Sequence, residues 1–274
     1  MPPNRFDRSG VWHSQFSQDR IVATLLRQKR SGYFVDAASS EPLLHSNTRT
    51  LERDFGWSGL CIEANPRFWN ATASMRKRCC LVGAAVAERR AEMNYHSFPN
   101  AFAGMGGLIR PGTKSAFKPP SMAVQAVTMA EVLKRFNAPP TIDFMSLDVE
   151  GAEELAMRAF PFDVHTVSIM SIERPRAKLV SLLHSHGYRY HCTSVLSSQL
   201  VGSLKADDQI WLHDSADLDR RTHAARPSDT VRCDWLYASA PLGIEAGWSA
   251  TDNRSVLKCD SNRRVRGVPS CRVF

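Results

Sequence analysis

The stretch GYFVDAASSEPLLHSNTRTLERDFG, residues Gly32–Gly56, holds a short apolar strand, a turn and a helix in immediate succession. The apolar residues predict a buried strand that ends at Asp36, and Ser46 or Asn47 would cap a helix that stops at the final glycine. Strand, acid, turn and helix in this order are typical of a nucleotide-binding sheet. The turn itself lacks the glycines that such proteins usually place there, and in their place stand Ala38, Ser39, Glu41 and Pro42.

The same succession recurs along the chain from about residue 17 to about residue 213. Four further apolar segments predict buried strands, with amphipathic segments between them: GLCIEAN, CCLVGAAVA, TIDFMSLDVEG and TVSIMSIE. Residues 188–195 and 208–213 predict a closing pair of strands. Buried strands that alternate with helices indicate a parallel sheet covered on both faces, to which the closing pair would add an antiparallel edge.

The pattern divides the chain into three parts. Residues 1–16 form an N-terminal extension, residues 17–214 the domain, and residues 215–274 an irregular C-terminal extension. Within the domain, residues 94–124 are rich in glycine and proline and are long for a connection, which indicates a lid or an insertion. Four apolar side chains of this stretch could cover an acceptor or pack on the sheet: Phe98, Phe102, Met105 and Phe117.

Composition sets broad limits on the class of protein. The chain has 274 residues, 43% of them hydrophobic, which is enough for one substantial core. It contains no run of eighteen apolar residues and no apolar signal segment at its start, so we expect a cytoplasmic protein without a membrane span. The seven cysteines show no metal-ligand spacing, and we expect Cys61 and Cys79 to be free thiols packed in apolar strands.

The net charge of +8 raises the question of nucleic-acid binding. The cations are spread over several helix ends, where the helix dipole alone favours them, and no motif interleaves basic and aromatic residues. A nucleic-acid-binding domain therefore ranks last among the functions that we consider.

Acids follow the strands at the edge where ligands bind in an open parallel sheet. Asp36, Glu63, Asp148 with Glu150, and Glu173 all stand at strand ends. Any one of them would equally suit the N-terminus of the following helix, where an anion is favoured. Several along one edge favour a binding crevice.

Glu63 narrows the class of ligand. An acid that closes the second strand suits a hydrogen bond to ribose hydroxyls, a device shared by dinucleotide dehydrogenases and S-adenosylmethionine-dependent methyltransferases. A pyrophosphate requires G-x-G-x-x-G in the first turn, and this chain has no such motif. The sequence therefore favours the methyl donor over NAD.

Five segments together resemble the FkbM-type methyltransferase family. They are SQDRIV, FVDAASSEPLLHSNTRTLERDFGWSGLCIEANPRFW, VTMAEVL, IDFMSLDVEGAE and the late SIE, in the order and spacing of that family. The resemblance covers residues 14–213. It implies a Rossmann-like, doubly wound, mostly parallel seven-stranded sheet with an antiparallel edge strand, as in class I methyltransferases. It also implies an enzyme that uses S-adenosyl-L-methionine, chiefly for O-methylation.

The resemblance assigns roles to individual residues. It implies that Asp148 and Glu150 are catalytic, with Asp148 as the base that takes the acceptor's proton, although Glu150 would equally suit a contact at the start of the next helix. Asp148, Glu150 and Glu173 are the oxygen ligands that a divalent ion would use, but their spacing is not diagnostic and we assign no metal. The residues that it places around the donor are Asp36, Ala38, Ser46, Asn47, Glu63 and Asn65.

The chain departs from the family in the first turn, where members read like V-D-x-G-A-x-D-G. Ala38 replaces the first glycine, Glu41 the aspartate and Pro42 the second glycine. An alanine at positive φ costs on the order of 1 kcal/mol, and proline removes an N–H. The alternative function is therefore a catalytically silent methyltransferase-like fold that acts as an interaction module. For the enzyme, we expect a hydroxyl-bearing small molecule or glycan as acceptor.

Overall fold

The computed structural model describes residues 12–98, 106–109, 121–194, 208–216 and 218, together with the backbone of 264–265 and 268–269. These residues form a mixed α/β protein. Its strands are β1 (Tyr33–Ala37), β2 (Ser58–Ile62), β3 (Cys79–Val82), β4 (Ala85–Val86), β5 (Ala91–His96), β6 (Gly107–Leu108), β7 (Ser121–Val127), β8 (Thr141–Leu147), β9 (Thr166–Glu173), β10 (Tyr188–Thr193), β11 (Asp208–His213), β12 (Arg264–Val265) and β13 (Val268–Pro269). Its helices are α1 (Gln18–Leu25), α2 (Arg49–Phe55), α3 (Trp69–Met75), α4 (Met129–Arg135), α5 (Glu153–Arg158) and α6 (Ala177–Ser185), with a 3-10 turn at Pro66–Phe68.

The main sheet has seven strands in the order β10–β11–β9–β8–β1–β2–β3. The chain runs outward from β1 through β2 to β3 and then returns to β8 on the other side of β1. Strand order therefore reverses between β1 and β8, and in open sheets of this kind ligands bind at such a point. The prediction of a large, mostly parallel sheet is confirmed.

The single antiparallel strand of this sheet is not at its edge. β11 pairs antiparallel with both β9 and β10, so β10 is the edge strand and runs parallel to the others. The sequence predicts an antiparallel edge because it shows only that the last two strands are neighbours along the chain. In the structure α6 connects β9 to β10, but these two strands do not pair. β11 lies between them and pairs with both.

Helices cover both faces of the main sheet, as the sequence predicts. Val35 and Met145 belong to a core that includes the inner faces of α4, α5 and α6. Phe34 and Phe144, one position earlier in the same strands, belong to a second core with α1 and α2. Side chains alternate between the faces of a strand, so both faces of β1 and β8 are apolar and buried.

Helix boundaries that the sequence marks clearly are also confirmed. In the capping box of α4, the Thr128 hydroxyl accepts the Glu131 N–H at 3.1 Å, and the Glu131 carboxylate accepts the Thr128 N–H at 2.9 Å. α2 ends at Gly56, whose φ of 72° is in the left-handed region, and Gly187 follows α6 with a φ of 78°.

A second sheet of four strands, in the order β4–β7–β5–β6, includes parts of residues 94–124, where we expected a lid or an insertion. Residues 94–96 and 121–124 belong to an antiparallel ladder between β5 and β7. The predicted strand CCLVGAAVA is divided between the two sheets, since β3 pairs with β2 and β4 pairs with β7. β5 and β7 are only half-buried and carry several polar residues, which hides them from a search for apolar runs.

The expectation of free thiols at Cys61 and Cys79 is wrong, because a disulfide joins them. Gly59 pairs with Cys79, and Cys61 with Leu81, so the two cysteines are diagonal neighbours on parallel strands with Cα atoms 5.9 Å apart. Their separation of 18 residues does not reveal this register. Cys80 and Cys192 are disulfide-bonded as well.

None of the helices in the described part of the chain has the length and apolar character needed to cross a bilayer.

Candidate active site

The acids predicted at strand ends lie together at one edge of the main sheet. Asp36 is the second-last residue of β1, and Glu173 is the last residue of β9. Glu63 directly follows β2, and Asp148 directly follows β8. Burial raises the pKa of Glu63 and of Asp148, and the neighbouring charge of Asp36 adds a smaller increase to each. The crevice lies where strand order reverses.

Glu63 joins the first turn to the end of β2. Its Oε2 accepts the Ser40 N–H at 2.7 Å and its Oε1 accepts the Asn65 N–H at 2.6 Å. The side chain is buried, and burial raises its pKa to about 7, although the hydrogen bonds from Asn65 and Ser40 oppose the rise. The Ala64 N–H contributes a third backbone hydrogen bond, and a carboxylate can accept about four, so the group keeps capacity for a further donor.

The first turn is held in a conformation that glycine would adopt without strain. Ala38 has a φ of 64° and Ser40 a φ of 50°. The N–H groups of Ala38 and Ser39 both donate to the Ile62 carbonyl, at 2.9 and 3.1 Å. Glu41, which replaces the family's aspartate, accepts the Leu43 N–H at 3.0 Å and so stabilises its own turn. The backbone of the turn is therefore fixed by β2.

Asp36 and Ser46 belong to a buried ionic network. Thr48 Oγ1 donates to Asp36 Oδ2 at 2.5 Å, and the Arg76 guanidinium donates to Thr48 at 2.8 Å and to Ser46 at 3.1 Å. Arg76 also forms an ion pair with Glu52, and both side chains are buried. Burial raises the pKa of Asp36, and the Arg76 charge and the Thr48 hydrogen bond oppose that rise.

This network corrects two expectations. The N-cap of α2 is Thr48, and not Ser46 or Asn47. The Thr48 hydroxyl donates its hydrogen bond to Asp36 and makes no capping bond to the helix backbone. Sequence reasoning also missed Arg76, because it lies among basic residues that a helix end would explain. A pattern of charges does not show which member of a basic run folds inward.

Asn47 connects the first turn to β8, on the other side of the crevice. Its Nδ2 donates to the Ser146 hydroxyl at 2.8 Å. Ser146 is buried in β8 and lies two residues before Asp148, which follows the strand, so this bond ties the first turn to the strand that leads to the acids.

The turn after β8 places the two predicted catalytic acids. Burial, and then the charges of Glu150 and Glu153, raise the pKa of Asp148 to about 7, while Arg174 opposes the rise. Burial also raises the pKa of Glu150, whose φ of 52° is in the left-handed region. Glu153, and not Glu150, accepts a hydrogen bond at the start of α5, from the Gly151 N–H at 2.8 Å. Glu150 therefore does not cap the helix.

Glu173 lies close to these acids. Carboxylate oxygens of Asp148, Glu150 and Glu173 lie within 4.8 Å of one another, and Glu173 forms an ion pair with Arg174. Exposed acids often group in this way, and we assign no metal to the cluster.

Among the residues that the structure describes, four buried polar atoms at this edge have no hydrogen-bond partner. They are Ser39 Oγ, Asn47 Oδ1, Asn65 Nδ2 and Asp148 Oδ1. Most buried polar atoms in proteins are bonded, and each exception needs an explanation. Because these four come from the turns after β1, β2 and β8, they indicate a polar ligand that spans the crevice.

The space beside Glu63 is a cavity of about 20 Å³. Ala38, Glu63 and Val149 line it from the main sheet, and Tyr95 with Gly106–Leu108 line it from the second sheet. Tyr95 is buried, and the charges of Glu63 and Glu150 reinforce the effect of burial in raising its pKa. Sequence reasoning missed Tyr95, since β5 carries no apolar run. Of the four side chains expected to cover an acceptor, Phe98 is partly buried, and Phe102, Met105 and Phe117 lie outside the described residues.

The fold is that of a mixed α/β protein, and the predicted site residues lie at the switch point of its main sheet. The Methyltransferase FkbM domain matches residues 35–190, which is more than half of the chain. The chain therefore belongs to the FkbM methyltransferase family. No curated protein and no solved structure matches it.

Proposed function

We propose that the protein is an S-adenosyl-L-methionine-dependent methyltransferase that methylates a hydroxyl group. Three observations support this. The chain belongs to the FkbM methyltransferase family. The strand order of the main sheet suits the Rossmann-like arrangement of class I methyltransferases. The observation that carries the proposal is the set of four unpartnered polar atoms around the crevice, because they fit a polar cofactor.

The residues present supply groups for each part of the donor. Glu63 would accept a hydrogen bond from a ribose hydroxyl, because its carboxylate keeps accepting capacity beyond its backbone hydrogen bonds. Asn65 Nδ2 and Ser39 Oγ lie in the adjoining turns and would serve the polar atoms beside the ribose. Asn47 Oδ1 would accept from the amino group of the donor. Asp36, Ser46 and Ala38 would shape this pocket, the first two by holding the turn through Arg76.

When bound, the donor supplies a sulfonium methyl group with a neutral leaving group. The protein's own part is to hold the acceptor in line and to take its proton. Asp148 is the base in this proposal, since its raised pKa of about 7 matches the task near neutral pH. Glu150 would orient the acceptor hydroxyl, and Arg174 opposes the build-up of negative charge around the two acids.

The acceptor in this proposal is a small molecule or a glycan. The carboxylates at the mouth are poor partners for the phosphates of a nucleic acid, since like charges repel. Hydroxyl groups, in contrast, donate well to carboxylates.

The second candidate function is a catalytically silent module for interaction with other molecules. The size of the cavity favours it, since about 20 Å³ admits a single water. The left-handed conformation of Ala38, which a glycine would adopt without strain, points the same way.

Calorimetry with S-adenosylhomocysteine separates the two functions. The enzyme binds it, and Glu63→Ala and Asn65→Ala each weaken binding at least tenfold, which corresponds to about 1.4 kcal/mol. Glu41→Ala is the control, because the Glu41 carboxylate accepts the Leu43 and Leu44 N–H groups of its own turn and does not line the cavity. An affinity no better than millimolar that neither variant changes would support the silent module.

A further inference from the structure

The short strand β6 lies directly against the turn that carries the catalytic acids. A Cβ atom at Gly107 would lie 2.9 Å from Glu150 Cβ and 3.3 Å from the Glu150 carbonyl oxygen. Such distances are below van der Waals contact, so no residue larger than glycine fits there without movement. The backbone of β6 is therefore seated on the β8–α5 turn.

The attachment of β6 to the rest of the second sheet is slight in the part of the chain that the structure describes. Two residue pairs join it to β5, Tyr95 with Leu108 and His96 with Gly107. One further hydrogen bond runs from the Ile109 N–H to the Asn94 carbonyl at 2.8 Å. By comparison, six pairs join β5 to β7. A two-residue ladder opens at far lower cost than the ladder behind it.

With β6 seated, the donor has no room. The cavity beside Glu63 measures about 20 Å³, whereas pockets for ligands of the donor's size measure roughly 300–1,000 Å³. Gly106, Gly107 and Leu108 line this cavity together with Glu63. The opposite wall is the main sheet, which cannot recede because Glu63 and Ala38 are bonded to its strands.

We propose that β6, with its neighbours Gly106 and Ile109, is an autoinhibitory plug that occupies the nucleoside end of the donor pocket and is displaced when the donor binds. The proposal rests on the proposed function. β6 and the donor exclude each other, so the apparent dissociation constant equals the intrinsic one divided by the fraction of molecules in which β6 is displaced. Whatever loosens β6 then strengthens donor binding.

Gly107→Ala tests the plug directly. The added methyl group meets Glu150 Cβ and unseats β6, so calorimetry should show S-adenosylhomocysteine binding about fivefold or more tighter than to the wild type. Ala123→Val is the matched control, because Ala123 is an exposed residue of β7 opposite Asn94 and its side chain lines no part of the cavity. This control should bind as the wild type does.

Hydrogen exchange on the wild type gives a second measurement that needs no variant. S-adenosylhomocysteine should accelerate exchange of the Ile109 amide, whose partner is Asn94, and leave the Met93 and Val124 amides of the β5–β7 ladder unchanged. If the ligand instead slows exchange at Ile109, or if Gly107→Ala weakens binding, the plug is wrong while the methyltransferase proposal stands. If neither the wild type nor Gly107→Ala binds the ligand, the methyltransferase proposal itself is wrong.

Discussion

The Glu63 carboxylate accepts the Ser40 N–H at 2.7 Å, so one buried acid holds together the turns that follow β1 and β2. An acid in this position has two tasks, because it fixes the protein backbone and it faces the pocket proposed for the donor. Its raised pKa makes both tasks depend on pH near neutrality.

Glu63→Gln should change how stability varies with pH. Burial raises the pKa of Glu63 from 4.5 to about 7, so the folded state keeps this proton after the unfolded state has lost it. The stability that this proton contributes is fully present below pH 4.5 and is lost as pH rises to about 7, by roughly 3 kcal/mol. In urea unfolding, the wild type should therefore lose stability relative to Glu63→Gln between pH 4.5 and pH 8. A constant difference between the two proteins would show that Glu63 stays ionised throughout.

Asp148→Asn should separate catalysis from binding. As the base, Asp148 acts only when ionised, and its pKa of about 7 predicts turnover that rises between pH 6 and pH 8. The amide cannot take a proton, so turnover should fall about 10²-fold or more, while S-adenosylhomocysteine affinity stays within about threefold. Single-turnover kinetics and calorimetry measure the two quantities. Equal losses in both would make Asp148 a ligand of the donor and not a base.

The sequence predicts the main architecture because buried parallel strands are continuous apolar runs. It places Glu63 and Asp148 at the ligand-binding edge for the same reason, since each follows such a run. It does not reveal the second sheet, whose strands β5 and β7 are half-exposed and mixed in character. Tyr95 and Gly107 are therefore found only in the structure.

Long-range partners are the second kind of feature that the sequence hides. Arg76 meets Glu52 across 24 positions, and Cys61 meets Cys79 across 18, although nothing in the local pattern of either pair differs from that of ordinary surface arginines or free thiols. Both pairs depend on the register between strands and helices, which local periodicity does not set.

Ala38→Gly should relieve strain in the first turn. At a φ of 64°, the alanine conformation costs about 1–2 kcal/mol, and glycine would remove this strain. Glycine also makes the unfolded chain more flexible, which lowers the stability of the folded state by about 0.4–1 kcal/mol. The net gain in the free energy of unfolding should lie between about zero and 1.6 kcal/mol. Ala37→Gly is the control, because Ala37 is a fully buried strand residue and its truncation should destabilise the protein. A destabilised Ala38→Gly would show that the Ala38 methyl group packs favourably in the cavity wall.

Arg76→Met should destabilise the protein strongly. The substitution removes the only cation bonded to Glu52 and Thr48 among the described residues, and it leaves the buried carboxylates of Glu52 and Asp36 without the Arg76 charge. We expect a loss of about 3–5 kcal/mol in urea unfolding, larger at pH 8 than at pH 5, where protonation of the acids offsets part of it. Arg158→Met provides the control. Arg158 forms ion pairs with Glu88 and Glu154 at the surface, and its loss should leave the unfolding midpoint unchanged.

Replacing Cys61 and Cys79 together by alanine should lower stability without changing the fold. The disulfide closes a loop of 18 residues between β2 and β3, and removal of such a link costs about 3 kcal/mol through the greater freedom of the unfolded chain. Non-reducing urea unfolding measures the loss, and Cys79→Ala alone should be at least as unstable because it leaves a buried thiol at Cys61. Peptide mapping of the wild type, alkylated without reductant, checks the bond itself. Recovery of both cysteines as alkylated peptides would show that they are free thiols and that the disulfide is absent. The double variant should then be as stable as the wild type.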